Sequence, residues 1–328
     1  MSKKILALTL CCVALLTLLC GCSPSPTAVQ VGNRKVDASE YAFYLYYNRT
    51  NSGAESGTVL YDAQANETAR SLALDQIVTN EVVLLKCQEL DLELSEAQKT
   101  TLELNKERLV ESLGGKSAYL SYLQQTYLTD RAYDKFQSNT YYYDILYTHM
   151  ALENRQDFTD EKLRQYFSDH YATVKYIYLG LLDENGEKPD RITRDETLKT
   201  AQTIVEQART PGADFDALME RYNEDLSMPV GGFAISEPEA RSTDYLATLF
   251  DLEENGVSDI IAMSDGYYIL KRCPVPATYY DEHQTDIFLA ACDDRFGDSM
   301  EVWKTEYTVT VSKVVDKINL TNLAEFVK

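Results

Sequence analysis

Hydrophobic and polar positions change their rhythm several times along the chain. Ile5 to Leu19 is an unbroken run of apolar and small residues behind Lys3 and Lys4, the layout of a secretory signal. Val29-Gln-Val-Gly-Asn-Arg-Lys-Val36 alternates around a Gly-Asn pair and predicts a hairpin. Asp37 stands three residues before Glu40, as in a capping box, and predicts a helix with Tyr41, Tyr44 and Leu45 on one face. The polar stretch Asn51 to Thr58 ends it. From about Ala63 to Asn154 the only Gly are the pair Gly114-Gly115, and the period is helical throughout. Leu74, Ile77, Val78, Val82 and Leu85 mark one long helix. Ser95-Glu-Ala-Gln98 opens a second, running through Leu102, Leu109 and Leu113. Tyr119, Tyr122 and Leu123 mark a short third, and a fourth spans about Asp130 to Glu153.

After a short helix opened by Thr159-Asp-Glu-Lys162 the texture becomes mixed. Thr173 to Leu179 reads as a strand, about Asp195 to Arg209 as a helix, and Asp214 to about Tyr222 as another. Gly231-Gly-Phe233 leads into a short strand, Tyr245 to Phe250 is a helical turn, and Tyr267 to Arg272 is a closing strand. This order predicts a compact α+β domain. Tyr280 to Tyr307 then reads as helix and Thr308 to Val315 as strand.

Composition narrows the function. The 328 residues carry 31 Lys plus Arg against 52 Asp plus Glu, a net charge of −21. A nucleic-acid binder needs a basic face, so the balance predicts no nucleic-acid partner. Three His and scattered Cys leave little material for a metal or haem site, and no cofactor is expected. Once a signal ending before Cys22 is removed, Cys87, Cys273 and Cys292 remain outside any C-x-x-C pattern, which fits buried small hydrophobes with at most one bridge. His149, His170 and His283 read as ordinary surface or core residues. The composition also holds 24 Tyr against one Trp. Tyr44, Tyr46, Tyr47 and Tyr141-Tyr-Tyr143 lie on helical segments, where they either pack against neighbours or line a cleft for unfolded chains.

Two resemblances sharpen the picture. Leu19-Cys20-Gly21-Cys22 resembles a bacterial lipobox, which implies a diacylglycerol on Cys22; the alternative is an uncleaved membrane helix. Either way the remainder lies outside the cytoplasmic membrane. Four segments resemble the parvulin peptidyl-prolyl isomerases in order: Val174-Lys-Tyr-Ile-Tyr-Leu179; Gly212-Ala-Asp-Phe215-Asp-Ala-Leu218 through Tyr222-Asn-Glu-Asp225; Leu249 to Asp259; and Gly266 to Arg272. The flanks, Val29 to Val36 and Phe158-Thr-Asp-Glu-Lys-Leu163, resemble SurA-like and PrsA-type secretion foldases.

The resemblance implies an α+β chain in which a helical SurA-like chaperone domain, built from both chain ends, holds an inserted parvulin-like domain. The expected boundaries are a signal over 1–21, a tether over 22–28, a helical domain over 29–158, a parvulin-like domain over 159–276, and a C-terminal helix and strand over 277–328. It also implies site residues: Asp225, Tyr176 and Tyr268 beside the reacting amide, and Phe233, Tyr245 and Phe250 around a proline pocket. Tyr176 and Tyr268 stand where the family keeps its two histidines. A phenol is neutral near pH 7 and donates one hydrogen bond, so the pair either forms a polar floor or simply packs together. The expected partners are unfolded secreted polypeptides and, through the anchor, a membrane. The expected function is an extracytoplasmic foldase with X–Pro isomerase activity, the alternative a holdase or adaptor lipoprotein with a degenerate parvulin domain.

Overall fold

The computed structural model describes residues 25–49, 62–153, 155–182, 186–187 and 189–327. The signal, Cys22 and the polar break at 51–58 lie outside them. The chain forms two compact units, Met1–Arg155 with Asp294–Lys328, and Gln156–Asp293. A helical unit drawn from both chain ends is therefore interrupted in sequence by an inserted α+β unit.

In the helical unit, β1 (Thr27–Val31) and β2 (Arg34–Asp37) form the expected hairpin. Gly32 turns it with φ +55, a left-handed conformation that Gly adopts without steric cost. The strand begins inside the expected tether: Ala28 is fully buried and the Pro26 carbonyl accepts the Ala38 N–H at 2.8 Å. The helix α1 (Ala38–Tyr47) is capped by the Asp37 carboxylate, which accepts from the Ser39 and Glu40 N–H groups. Among the described residues four more helices follow in the N-terminal part: α2 (Ala63–Glu89), α3 (Glu96–Ser112), α4 (Lys116–Gln125) and α5 (Asp130–Glu153). Ser95 and Gln98 close the expected capping box at α3.

One core joins the chain ends. Val29, Tyr41, Ile77 and Leu146 pack in a cluster with Ile318, Leu320 and Leu323. Within it Glu81 is a buried anion, its side chain 2% exposed, held by Arg34 at 2.5 Å and Lys135 at 2.5 Å. Lys135 also reaches Glu40 at 2.5 Å. Two cations thus face two carboxylates, which satisfies charges that would be costly alone.

The inserted unit contains α6 (Asp160–His170), β3 (Tyr171–Gly180), α7 (Arg191–Ala208), α8 (Phe215–Tyr222), β4 (Phe233–Ser236), α9 (Glu237–Ser242), β5 (Ile261–Ala262), β6 (Gly266–Cys273) and α10 (Ala277–Glu282). Its sheet is antiparallel with order β4-β3-β6-β5. Lys175 on β3 pairs with Asp216 of α8 at 2.6 Å, and Lys271 on β6 lies 5.6 Å from the Phe215 ring. These contacts put α8 on one face of the sheet and leave the other for the site.

Several elements differ from expectation. The helix α7 starts at Arg191 because Asp190 caps it, accepting the Thr193 N–H at 2.8 Å. The helix α9 was not foreseen. The expected helix over 280–307 is two, α10 and α11 (Gln284–Glu306), separated at His283. Tyr280 and Ile287 pack on Phe167 of α6, so the start of that segment belongs with the inserted unit, which is wider than 159–276. The expected strand over 308–315 is only β7 (Val309–Val311), paired antiparallel with β1.

Candidate functional site

Directly opposed residues of an antiparallel pair share a face. Register therefore assembles one surface in rows. Phe233, Val174 and Arg272 form the first, Tyr176 and Leu270 the second, Tyr178, Tyr268 and Ile261 the third. Tyr176 and Tyr268 are thus diagonal neighbours, not a facing pair; Tyr178 is the residue opposite Tyr268.

The loop after α8 brings in the carboxylate. The pairing of β3 with β4 stops at Val174, and residues 223–225 occupy the edge beyond it. Tyr178 N–H donates to Asn223 Oδ1 at 2.7 Å, Glu224 N–H to the Tyr178 carbonyl at 3.0 Å, and Gly180 N–H to Glu224 Oε2 at 2.7 Å. Asn223 Nδ2 donates to the Asp225 carbonyl at 2.8 Å. The result fixes Asp225 beside the second row.

Both oxygens of Asp225 are occupied. Oδ2 accepts the Tyr176 phenol at 2.5 Å, and Oδ1 accepts the Ser227 hydroxyl at 2.6 Å and the Ser227 N–H at 2.9 Å. The Ser227 hydroxyl and then the Tyr176 phenol hold the Asp225 carboxyl below the usual carboxylate range, against a smaller opposing effect of burial. Burial, reinforced by the hydrogen bond to Asp225, pushes the Tyr176 phenol up. The proton therefore stays on Tyr176.

Tyr268 points its hydroxyl elsewhere, donating to Asp265 Oδ2 at 3.1 Å, while Tyr178 donates to the Asp265 carbonyl at 3.0 Å. Burial and then Asp265 push Tyr268 up. The rings close the space between. Tyr245 stacks on Tyr268 with centroids 4.4 Å apart and meets Tyr176 edge-on at 5.6 Å; Tyr176 and Tyr268 lie 5.8 Å apart at 65°. Tyr178 adds a fourth ring 4.8 Å from Tyr268. Such tilted and offset contacts suit the ring quadrupoles.

The structure thus gathers Asp225, Tyr176, Tyr245 and Tyr268. Phe233 sits in the neighbouring row, half-buried. Phe250 lies in a single 3-10 turn, Leu249–Asp251, under the Arg272 guanidinium at 4.9 Å. Arg272 also donates to the Leu252 carbonyl at 2.9 Å. Cys22 lies outside the described residues. The three histidines sit elsewhere: His170 stacks on Tyr166 and His283 on Tyr279, while His149 belongs to α5 in the other unit. Sequence reasoning missed Tyr178, Asn223 and Asp265. Only the repeat of Tyr at alternate positions 176 and 178 pointed to the first.

The arrangement offers phenol donors and fixed carboxylate and carbonyl acceptors on an aromatic surface. Among the described residues no cluster of potential metal ligands occurs.

No family model matches the chain. A curated relative, foldase protein PrsA of Streptococcus sanguinis strain SK36, is 27% identical over 158 residues, 42% of this chain and 47% of the relative. The chain resembles PrsA-type foldases. The match spans about half the length of that PrsA. Solved structures with detectable likeness include the peptidylprolyl isomerase PrsA of Bacillus cereus, 16% identical, covering 87% of this chain and 91% of that one with a TM-score of 0.32. PrsA of Bacillus subtilis is 19% identical over 73% of this chain and 82% of its own, with a TM-score of 0.24.

Proposed function

We propose that this protein is an extracytoplasmic, lipid-anchored foldase that holds unfolded secreted polypeptides, and that its inserted parvulin-like unit binds chain segments without appreciable X–Pro isomerisation. The observation that carries the second part is the hydrogen bond from Tyr176 to Asp225. Rotating an X–Pro bond means crossing a barrier of roughly 18–20 kcal/mol set by amide resonance. A catalyst lowers it with donors free to meet the twisted amide in a dry pocket. Here the Tyr176 donor is used by Asp225, the Tyr268 donor by Asp265, and Tyr245 lies over the intervening surface. The PrsA resemblance supports the foldase part. A groove of about 420 Å³ in the helical unit, lined by Leu102, Lys106, Tyr133 and Ser138 among others, offers a second surface for a chain. The acidic surface favours neutral or basic clients.

A second reading, a working isomerase, draws on the same gathering of Asp225, Tyr176 and Tyr268 beside Phe233. A protease-coupled tetrapeptide assay separates the two. We expect a rate near the uncatalysed one, unchanged in Asp225→Ala. A saturable acceleration that disappears in Asp225→Ala would establish the isomerase instead. The foldase part requires suppression of aggregation of a reduced, unfolded secreted protein by the full chain; an adaptor would give none. Anchoring through Cys22 requires metabolic labelling with a fatty acid that is lost in Cys22→Ala.

A further inference from the structure

The three-stranded sheet of the helical unit has order β2-β1-β7, so β7 forms one edge. Val31 lies opposite Val309, Gln30 opposite Thr310 and Val29 opposite Val311. Gly32 N–H donates to the Thr308 carbonyl at 3.0 Å, and Ser312 N–H donates to the Ala28 carbonyl at 2.8 Å. Backbone groups alternate in direction along a strand. Positions 308, 310 and 312 therefore face β1, whereas the N–H and C=O of Val309 and Val311 face outward, where the described sheet has no further strand.

The side chains carry the same message. Val309 and Val311 share the face of Val29 and Val31, which are 0% exposed, yet they remain 39% and 47% exposed themselves. Apolar surface continues past the last strand. Natural edges are usually blunted by brevity, charge, proline or a bulge, and of these β7 has only its three-residue brevity. The opposite edge, β2, carries Arg34, Lys35 and Asp37, and its pairing with β1 shifts register. Val309-Thr310-Val311 has no charge and no proline, and its register is regular.

We infer that the outer edge of β7 receives an extended, non-acidic polypeptide segment as an added strand, with β-branched or aliphatic residues at alternate positions. The inference rests on the foldase reading and names where part of a client would lie. Strand addition draws its affinity from main-chain hydrogen bonds and its selectivity from alternate side chains. Side chains two apart on the guest would fall beside Val309 and Val311, extending the apolar row begun by Val29 and Val31. A second copy of this chain is the poorer occupant. A three-residue edge falls well short of the roughly 800 Å² per partner that a stable interface buries. A weak, reversible hold suits an unfolded client. The net charge of −21 disfavours an acidic guest.

The test uses the full chain in detergent micelles and a fluorescein-labelled peptide, Lys-Thr-Val-Thr-Val-Thr-Val-Lys, with a copy N-methylated at its valines. We expect saturating peptide to slow amide exchange at Val309 and Val311 by about fivefold or more. Binding read by anisotropy should weaken by about tenfold, the equivalent of one main-chain hydrogen bond, for the N-methylated peptide and for Val311→Pro. Val309→Lys, which leaves every backbone donor in place, is the second variant and should weaken binding of this basic peptide too. Unchanged exchange at both amides with peptide bound, or wild-type affinity in both variants, overturns the proposal. So does protection that grows with protein concentration alone, which would assign the edge to a second copy. Retained suppression of aggregation with either of these results leaves the foldase reading standing. Lost suppression in the unsubstituted chain removes that reading, while the exchange data still report on the strand.

Discussion

Asp225 shows how one carboxylate can be fully committed without being deeply buried. Its partners, Tyr176 and Ser227, stabilise the charged form, so its pKa lies below the ordinary 3.8. A group depressed in the fold adds stability that is present above its unfolded value and is lost as pH falls through the folded one. Asp225→Asn should therefore lower the melting temperature at pH 7, with a loss of about 1 kcal/mol for hydrogen bonds at a partly exposed site. The difference between the two proteins should be full above about pH 5 and shrink as pH drops below the unfolded value. Thermal melts at several pH values check this; a difference that grows on acidification would contradict the assigned hydrogen bonds. The motifs single out Tyr176, Asp225 and Tyr268, and the structure brings all three to one surface. Their mutual geometry was not legible in the sequence. A slip of one residue in register flips every side chain to the other face, so nothing in the order of residues could say that Tyr178, rather than Tyr176, stands opposite Tyr268.

At the scale of elements, most helices and the long strands were legible because their period, caps and breakers agree. The capping box at Ser95 and the Thr159 cap are both where the sequence places them. The misreadings have physical causes. In α2 the buried face of the first turns is Ala65, Ala69, Ala73 and Ile77, whereas Leu74 and Val78 are only half-buried. Alanine is neutral in a hydropathy pattern, so this buried face does not show in one; in the first turn the Leu320 N–H donates to Asn66 Oδ1 at 3.0 Å. The short helix α9 was hidden by Pro238 and its neighbours, although Ser236 and Glu239 form a capping box. Close approach also fixes Gly266 at the head of β6. A Cβ there would stand 2.4 Å from the Tyr178 ring and 2.5 Å from the Leu179 carbonyl oxygen. Since one of these is backbone, it has little room to yield, and Gly266→Ala should cost about 2–3 kcal/mol. Urea unfolding followed by tyrosine fluorescence would measure it. A cost under about 0.5 kcal/mol, within the range of ordinary surface changes, would mean the β3–β6 edge gives way easily.

For the molecule as a whole, the question is what makes two distant chain segments one unit. The Arg34–Glu81–Lys135–Glu40 group ties β2, α2, α5 and α1 together. Removing one partner of a buried ion pair leaves the others uncompensated, so Glu81→Gln should destabilise by about 3 kcal/mol. Circular dichroism melts of the helical signal would register this as a lower transition. Truncation after Tyr307 tests the other tie. It removes β7 and the buried Val315, Ile318, Leu320 and Leu323, and should raise the susceptibility of the N-terminal helices to limited proteolysis by about tenfold or more. Unchanged cleavage would mean the N-terminal part is complete without its C-terminal end. The motifs place an inserted α+β unit in the middle of the chain, and the structure has one there. That its span reaches Asp293 was not legible, because the segment from Tyr280 to Tyr307 carries one unbroken helical period, which conceals the change of unit inside it. The pairing of Val29 with Val311 carries a further consequence for biogenesis. A polypeptide made from its N-terminus at about 5–20 residues per second delivers the partner of its first strand only after tens of seconds. Throughout that interval Val29 and Val31 have no permanent cover on that side.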